Sequence, residues 1–205
     1  ASYVKDIDKA IELANQIQVK GYEATINLMA VSHARERELD EALIQVERES
    51  NVDALYLVDS FGALYSEQVS HLAKKYKSLM PTKEIGIHAH NNQQLAFANT
   101  IEAIIQNVNY LDGTIFGIGR AAGNCPLELL LGFLKNPKYD LRPILGILES
   151  HFVKLKDEIE WGYTIPYMIT GILDLHPRAG MKLRKSESKD DYLGFFDSLA
   201  QSDSA

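Results

Sequence analysis

Two histidines separated by one residue, His88 and His90, close the apolar alternating run IGIHAHNN at residues 85–92. Side chains alternate along a strand, so the pair shares one face, with Ala89 on the other. Two neutral imidazoles spaced ~6–7 Å along a strand can converge on one cation at about 2.0–2.1 Å each. The chain has a single cysteine, Cys125, so a multi-cysteine zinc or iron–sulfur site is excluded and any metal must be held by imidazole and oxygen. Spacing alone fits two ordinary strand-end histidines just as well.

The surroundings add to the pair. Asn91 and Asn92 follow at once, then the small residues Ala96 and Ala98 and the amide Asn99. Some 25 residues on comes GTIFGIGRAAGNCPLE, with Gly113, Gly117, Gly119 and Gly123 forming a loop whose backbone can approach a ligand closely. Asn124 lies just before Pro126, a residue suited to the first helical position, and a helix N-terminus offers N–H groups to an anion.

These residues need elements to hold them. Apolar positions at Val4, Ile7, Ala10, Ile11, Ala14 and Ile17 form one helical stripe, stopped near Gly21. EATINLMA reads as a strand, and Leu39, Ala42, Leu43 and Val46 mark the next helix. DALYLVDS is a nearly continuous apolar run, the pattern of a parallel strand covered on both faces. Ser66 is expected to cap a helix carrying Val69, Leu72, Ala73 and Tyr76. IGIHAH supplies a further strand, Leu95 to Ile105 a helix, and NYLDGTIFG the last strand. Strand starts near 24, 54, 85 and 110 give a repeat of roughly 30 residues, the size of a βαβ unit. The expectation is an α/β fold with four parallel strands, either part of a (β/α) barrel or a doubly wound sheet, in a chain that opens on a helix. Beyond Pro126, LELLLGFL and PILGILESHFVKLKDEI read as helices over 136–175 or just before it. Residues 176–205 read as a partly exposed tail with one short helix, DDYLGFFDSLA.

Composition narrows the partners. The chain has 205 residues, a net charge of −7, 46% hydrophobic and 24% charged residues. That profile is globular, and it argues against nucleic acid or an anionic membrane as the main partner. No apolar run reaches about 18 residues. The lone cysteine and the lack of signal-peptide zoning at the start lead to a cytoplasmic expectation.

HAHNN, AFAN and GTIFGIGRAAGNCPLE together resemble the signature of the TIM-barrel metallolyase superfamily, the HMG-CoA lyase-like (HMGL-like) group. It contains 3-hydroxy-3-methylglutaryl-CoA lyase, the isopropylmalate and homocitrate synthases, and the 4-hydroxy-2-oxovalerate aldolases. NLMAVSH at 27–33 and LYLVDSFGA at 55–63 look like the fifth and sixth barrel strands of the aldolase branch, and the likeness covers about residues 1–135. The resemblance implies a half-barrel catalytic region over 1–135 with C-terminal helices over 136–175 packed on it. It implies a carbon–carbon lyase acting on a 4-hydroxy-2-oxo acid, with a divalent cation, Mg or Mn, as cofactor. His88, His90 and Asn124 would be the metal ligands, and Asp59, Asn91, Asn92 and His33 would stand behind them. Tyr163 in WGYTIPY, with Tyr167 as the alternative, would donate a proton, and Arg120 would bind a substrate carboxylate.

The chain departs from the superfamily pattern in three places. Asn92 and Gln94 stand where the lyase and synthases have Asp and Gly. Gly119-Arg120-Ala121 replaces a Gly-Glu-Arg found in the synthases, which disfavours the alternative of acyl-CoA-dependent Claisen condensation. No Arg-Asp pair occurs anywhere, although the superfamily's third ligand is the Asp of such a pair. The expectation is therefore a fragment of a longer barrel, inactive by itself. The remaining alternative is a non-catalytic half-barrel whose exposed edges pair with a second copy. Ordinary roles stay open for several residues: a solvated loop for His33, a loop cap for Asp59, a surface pair for Arg120, packing for Tyr163 and Cys125. His71, His151 and His176 are read as structural or exposed.

Overall fold

The structure, a computed structural model, describes residues 1–202. Its contacts divide the chain into two compact units. The first comprises Ala1–Ser60, Leu64–Ala89 and Ala98–Asp112; the second comprises Phe61–Ala63, His90–Phe97 and Gly113 onward.

The first unit holds the sheet. Strand β1 (Ser2–Tyr3) leads through a 3-10 turn to helix α1 (Ile7–Val19), and β2 (Thr25–Met29) leads to α2 (Glu36–Glu49). β3 (Ala54–Asp59) is followed by α3 (Ser66–Leu79), β4 (Glu84–Ala89) by α4 (Ala96–Ile105), and β5 (Tyr110–Leu111) closes the series. All four strand pairs are parallel and the sheet order is β1-β2-β3-β4-β5. Each strand pairs with its neighbours in sequence, with no reversal. That is the order of a (β/α) barrel; a doubly wound sheet reverses at a switch point.

The sheet has five strands where the periodicity predicts four. Ser2 and Tyr3 pair with Leu28 and Met29, so a strand does precede the first helix. Two residues are too few to show a period, which hides β1 from any pattern search. Ser66 is the first residue of α3 and does not cap it. The Gln68 side-chain oxygen accepts the N–H of Tyr65 at 2.8 Å there.

Alternation sorts the strands into two faces. Leu28, Leu55, Leu57 and Ile87 are buried on one side, together with Leu39, Ala42, Leu43 and Val46 of α2 and Val69, Ala73 and Tyr76 of α3. Burying each such side chain is worth about 1.5–3 kcal/mol, which makes this the unit's core. The opposite face carries Asn27, Tyr56, Gly86 and Tyr110 in register across four strands, with His88 one step along from Gly86.

In the second unit α5 (Leu127–Leu134) is followed by α6 (Leu141–Ile147), a π-helical turn over Leu148–Phe152 and α7 (Val153–Glu158). The Asp140 carboxylate caps α6 by accepting the Arg142 N–H at 2.9 Å. Three further helices, α8 (Ile165–Ile172), α9 (Arg178–Arg184) and α10 (Tyr192–Ser202), complete it. Tyr167 of α8 packs with Ala121, Ala122 and Met181. Among the described residues no helix is long and apolar enough to cross a membrane.

Candidate functional site

In the first unit the end of β4 presents His88, half-buried, with its Nδ1 at 2.8 Å from Oδ2 of Asp112. Asp112 follows directly on β5, where its N–H donates to the Ile87 carbonyl at 3.1 Å, so the parallel ladder brings the carboxylate to the imidazole. The Tyr56 hydroxyl hydrogen-bonds to the same carboxylate; burial first, and then the Asp112 charge, push its pKa above the ordinary tyrosine value. Gly86 makes room for this. A Cβ there would lie 2.5 Å from the Tyr56 ring.

Asp112 and Tyr56 are the residues that sequence reasoning missed. The available signal was an acid placed immediately after the last strand's apolar residues, in NYLDG. Asp59 sits elsewhere: register pairs Val58 with His88 and Asp59 with Ala89, so Asp59 projects to the other face of the sheet. It is buried, and its carboxylate accepts the Leu64 N–H at 3.4 Å. His33 ends an exposed 3-10 turn over Val31–His33 after β2.

In the second unit His90 pairs with Asn124 as an antiparallel bridge. His90 Nδ1 lies 3.3 Å from the Gly123 carbonyl, which also accepts the Asn91 N–H at 2.9 Å. The Gly-rich loop is folded around Asn124, whose N–H donates to the Gly117 carbonyl at 3.0 Å and whose side-chain N–H donates to the Ile118 carbonyl at 3.1 Å. The Asn124 Oδ1 is buried and has no hydrogen-bond partner among the described residues. An unmet acceptor of this kind is costly unless something fills it.

The other amides serve the backbone. Asn91 Oδ1 accepts the Ala96 N–H at 3.1 Å at the start of α4. Asn92 is buried and donates to the Tyr167 carbonyl at 3.4 Å, while Gln93 donates to the carbonyls of Gly62 and Ala63, each at 3.2 Å. Arg120 is exposed, with Nη1 at 3.2 Å from His176 Nε2. Tyr163 is 47% exposed, in a segment tied to the loop by Gly162 N–H donating to the Ala121 carbonyl at 3.1 Å. Trp161, one residue before Gly162, is buried and its indole N–H donates to the Phe116 carbonyl at 2.8 Å.

The structure therefore gathers His88 with Asp112 and Tyr56, and His90 with Asn91 and Asn124. Imidazole nitrogen and amide oxygen are donors that suit a divalent cation such as Mn, Mg or Zn. Among the described residues no group of three or more His, Cys, Asp and Glu side chains is assembled for a metal. The residues present fit a part of a cation site.

A sequentially ordered parallel β/α sheet with His-x-His at a strand's C-terminal end and Asn on a Gly-rich loop defines the class as barrel-type α/β proteins with polar strand-end groups. The chain belongs to the HMGL-like family, which matches residues 1–148. It is 34% identical over 133 residues to the 4-hydroxy-2-oxovalerate aldolase of Thermus thermophilus, covering 63% of this chain and 38% of that protein. It is 32% identical over 130 residues to the oxaloacetate decarboxylase of Mycobacterium tuberculosis, with the same two coverages. Among solved structures, the N-terminal domain of a proposed aldolase from Bacteroides vulgatus superposes with a TM-score of 0.79 at 31% identity, covering 90% of this chain and 62% of that one. The chain spans about two fifths of the length of the curated relatives it matches.

Proposed function

We propose that this chain supplies one part of the active site of a divalent-metal-dependent carbon–carbon lyase acting on a 2-oxo acid, with 4-hydroxy-2-oxo acids as the substrate class. The observation that carries the reading is the buried, unpartnered Asn124 Oδ1 on the residue bridged to His90. A cation-binding loop explains why a native fold keeps such an acceptor unmet. The two relatives support the substrate class: 4-hydroxy-2-oxovalerate and oxaloacetate both carry a 2-oxo carboxylate, and aldol cleavage and decarboxylation both break the bond between C3 and C4.

In this reading His88, His90 and Asn124 hold the cation, Mn or Mg, with the remaining oxygen ligands coming from outside the described residues. The bound cation supplies Lewis-acid stabilisation of the 2-oxo acid's developing enolate. Arg120 binds the substrate carboxylate by charge-assisted hydrogen bonds. A base takes the 4-hydroxyl proton, the C3–C4 bond breaks to release an aldehyde, and Tyr163, or Tyr167 in its place, returns a proton to C3 of the enolate. Asn91 and Asn92 fix the strand-end backbone on which His90 rides. Asp59 and His33 are retained as residues at the same strand ends.

The test is titration of MnCl2 into the protein and into His88→Ala, with pyruvate release followed from 4-hydroxy-2-oxovalerate and from oxaloacetate in parallel. Affinity lost in the variant together with metal-dependent pyruvate release supports the reading. Equal, negligible affinity in both proteins removes it and leaves the chain as a non-catalytic barrel module.

A further inference from the structure

The reading above assigns His88 a ligand's role and leaves open what aims its ring. We propose that Asp112 is the positioning residue for His88, with Tyr56 anchoring Asp112, so that Tyr56, Asp112 and His88 form a relay of hydrogen bonds across β3, β4 and β5. This inference rests on the ligand reading of His88.

The geometry carries it. Asp112 Oδ2 lies 2.8 Å from His88 Nδ1, the distance of a strong charge-assisted hydrogen bond. An ionised carboxylate only accepts, so the proton of this bond sits on Nδ1. The neutral ring is thereby fixed as the Nδ1–H tautomer, which puts the lone pair on Nε2. A ligating histidine commonly has its other nitrogen held in this way, and the partner raises the basicity of the donor nitrogen. Asp59, the acid a sequence reading would choose, lies on the other face of the sheet.

Asp112 is itself held. Its backbone N–H is tied to Ile87 at 3.1 Å, one residue before His88. Tyr56 donates to its carboxylate. The Tyr56 ring is placed by the T-shaped contact with Tyr110, with centroids 6.2 Å apart, and by the space over Gly86. The three strands thus set the carboxylate from the backbone and from a side chain at once. Such doubly determined positions are what a metal ligand needs to hold one rotamer.

Long-range 1H–15N spectra of the metal-free protein, at a pH where histidines are neutral, read the tautomer of His88. Manganese titration reads the consequence. Wild type should show the Nδ1–H form. Asp112→Ala should shift His88 toward the Nε2–H form and weaken Mn binding by roughly 10–100-fold. Asp112→Asn keeps an oxygen acceptor and should recover part of both, and Tyr56→Phe should weaken binding by less than Asp112→Ala. The Asp112 side chain is 39% exposed, so these variants are expected to fold, and their far-UV spectra should match wild type. If Asp112→Ala leaves the tautomer or the Mn affinity unchanged while His88→Ala abolishes binding, the positioning role is wrong and the ligand reading stands. If His88→Ala binds Mn as wild type does, the ligand reading fails and this inference falls with it.

Discussion

The Gly117 carbonyl accepts the Asn124 N–H at 3.0 Å, and the residue between them in the turn, Gly123, has no room for a Cβ because one would collide with that same carbonyl. Gly123 also sits at φ +83°, a backbone region that side chains make costly. Two requirements of the Gly-rich loop therefore meet at one residue, and both serve to present Asn124.

Gly123→Ala is accordingly expected to destabilise the protein by about 2–5 kcal/mol, the sum of left-handed strain and overpacking. Gly132 makes the control, since a Cβ there meets nothing within 4 Å and the residue is exposed in α5. Gly132→Ala should be neutral or gain about 0.5–1 kcal/mol. Urea denaturation of both variants decides the matter, and equal effects would sink the explanation.

Gly86→Ala tests the floor under Tyr56. The added methyl would lie 2.5 Å from the ring, so the ring or the strand must shift, at a cost of about 1–3 kcal/mol. In a Tyr56→Ala background the same substitution should cost much less, because the colliding atoms are gone. A double-mutant cycle measures the difference, and additive effects would show that the strand itself, not the ring, resists the methyl.

How much of this was legible depends on range. The strands β2 to β4 and helices α1 to α4 follow from local period, because each turn or pleat repeats its apolar signal several times. β1 fails that test with two residues, and α8 and α9 are short helices whose burial comes from distant partners such as Ala121 and Ala122 rather than from their own stripe. The HAHNN and GIGRAAGN segments were visible as chemistry because their residue types are unusual together. Asp112 was not, since its partner His88 is 24 residues away and only the parallel register joins them. Asp59 looked equally good on paper. Its position in the pleat, odd where His88 needs even, is a tertiary fact that a strand-end acid does not announce.

Trp161 pins the other side of the loop. Its indole N–H meets the Phe116 carbonyl at 2.8 Å, Phe116 holds φ 57°, and Glu128 accepts the Phe116 N–H at 3.0 Å. The Lys156 ammonium lies 4.5 Å from the centre of the Phe116 ring. Trp161→Phe keeps the packing but strands a buried carbonyl, at a cost of about 1–3 kcal/mol. Amide exchange at Gly117 and Asn124 should speed up in the variant relative to β3 and β4. Uniform acceleration across the chain would mean a global loss of stability and no specific pin.

His176 gives a pH signature. Its Nδ1 accepts the Arg178 N–H at 3.1 Å, its Nε2 faces Arg120, and its ring lies 5.8 Å from that of Phe61. Burial first, then the charges of Arg120 and Arg178, hold its pKa below the ordinary histidine value. The folded protein therefore binds this proton less readily than the unfolded chain. Between the depressed folded pKa and the unfolded value of about 6.5, the unfolded chain carries more protons, so stability rises with pH through that window and is lost as pH falls through it. The stability of wild type minus that of His176→Gln should decrease as pH is lowered below about 6.5, because the glutamine has no proton to take up. Arg120→Gln should shallow the same slope without abolishing it, since burial, the larger cause, remains. Urea midpoints of the three proteins across neutral to mildly acidic pH measure this, and a pH-independent difference between wild type and His176→Gln would show that His176 titrates alike in both states.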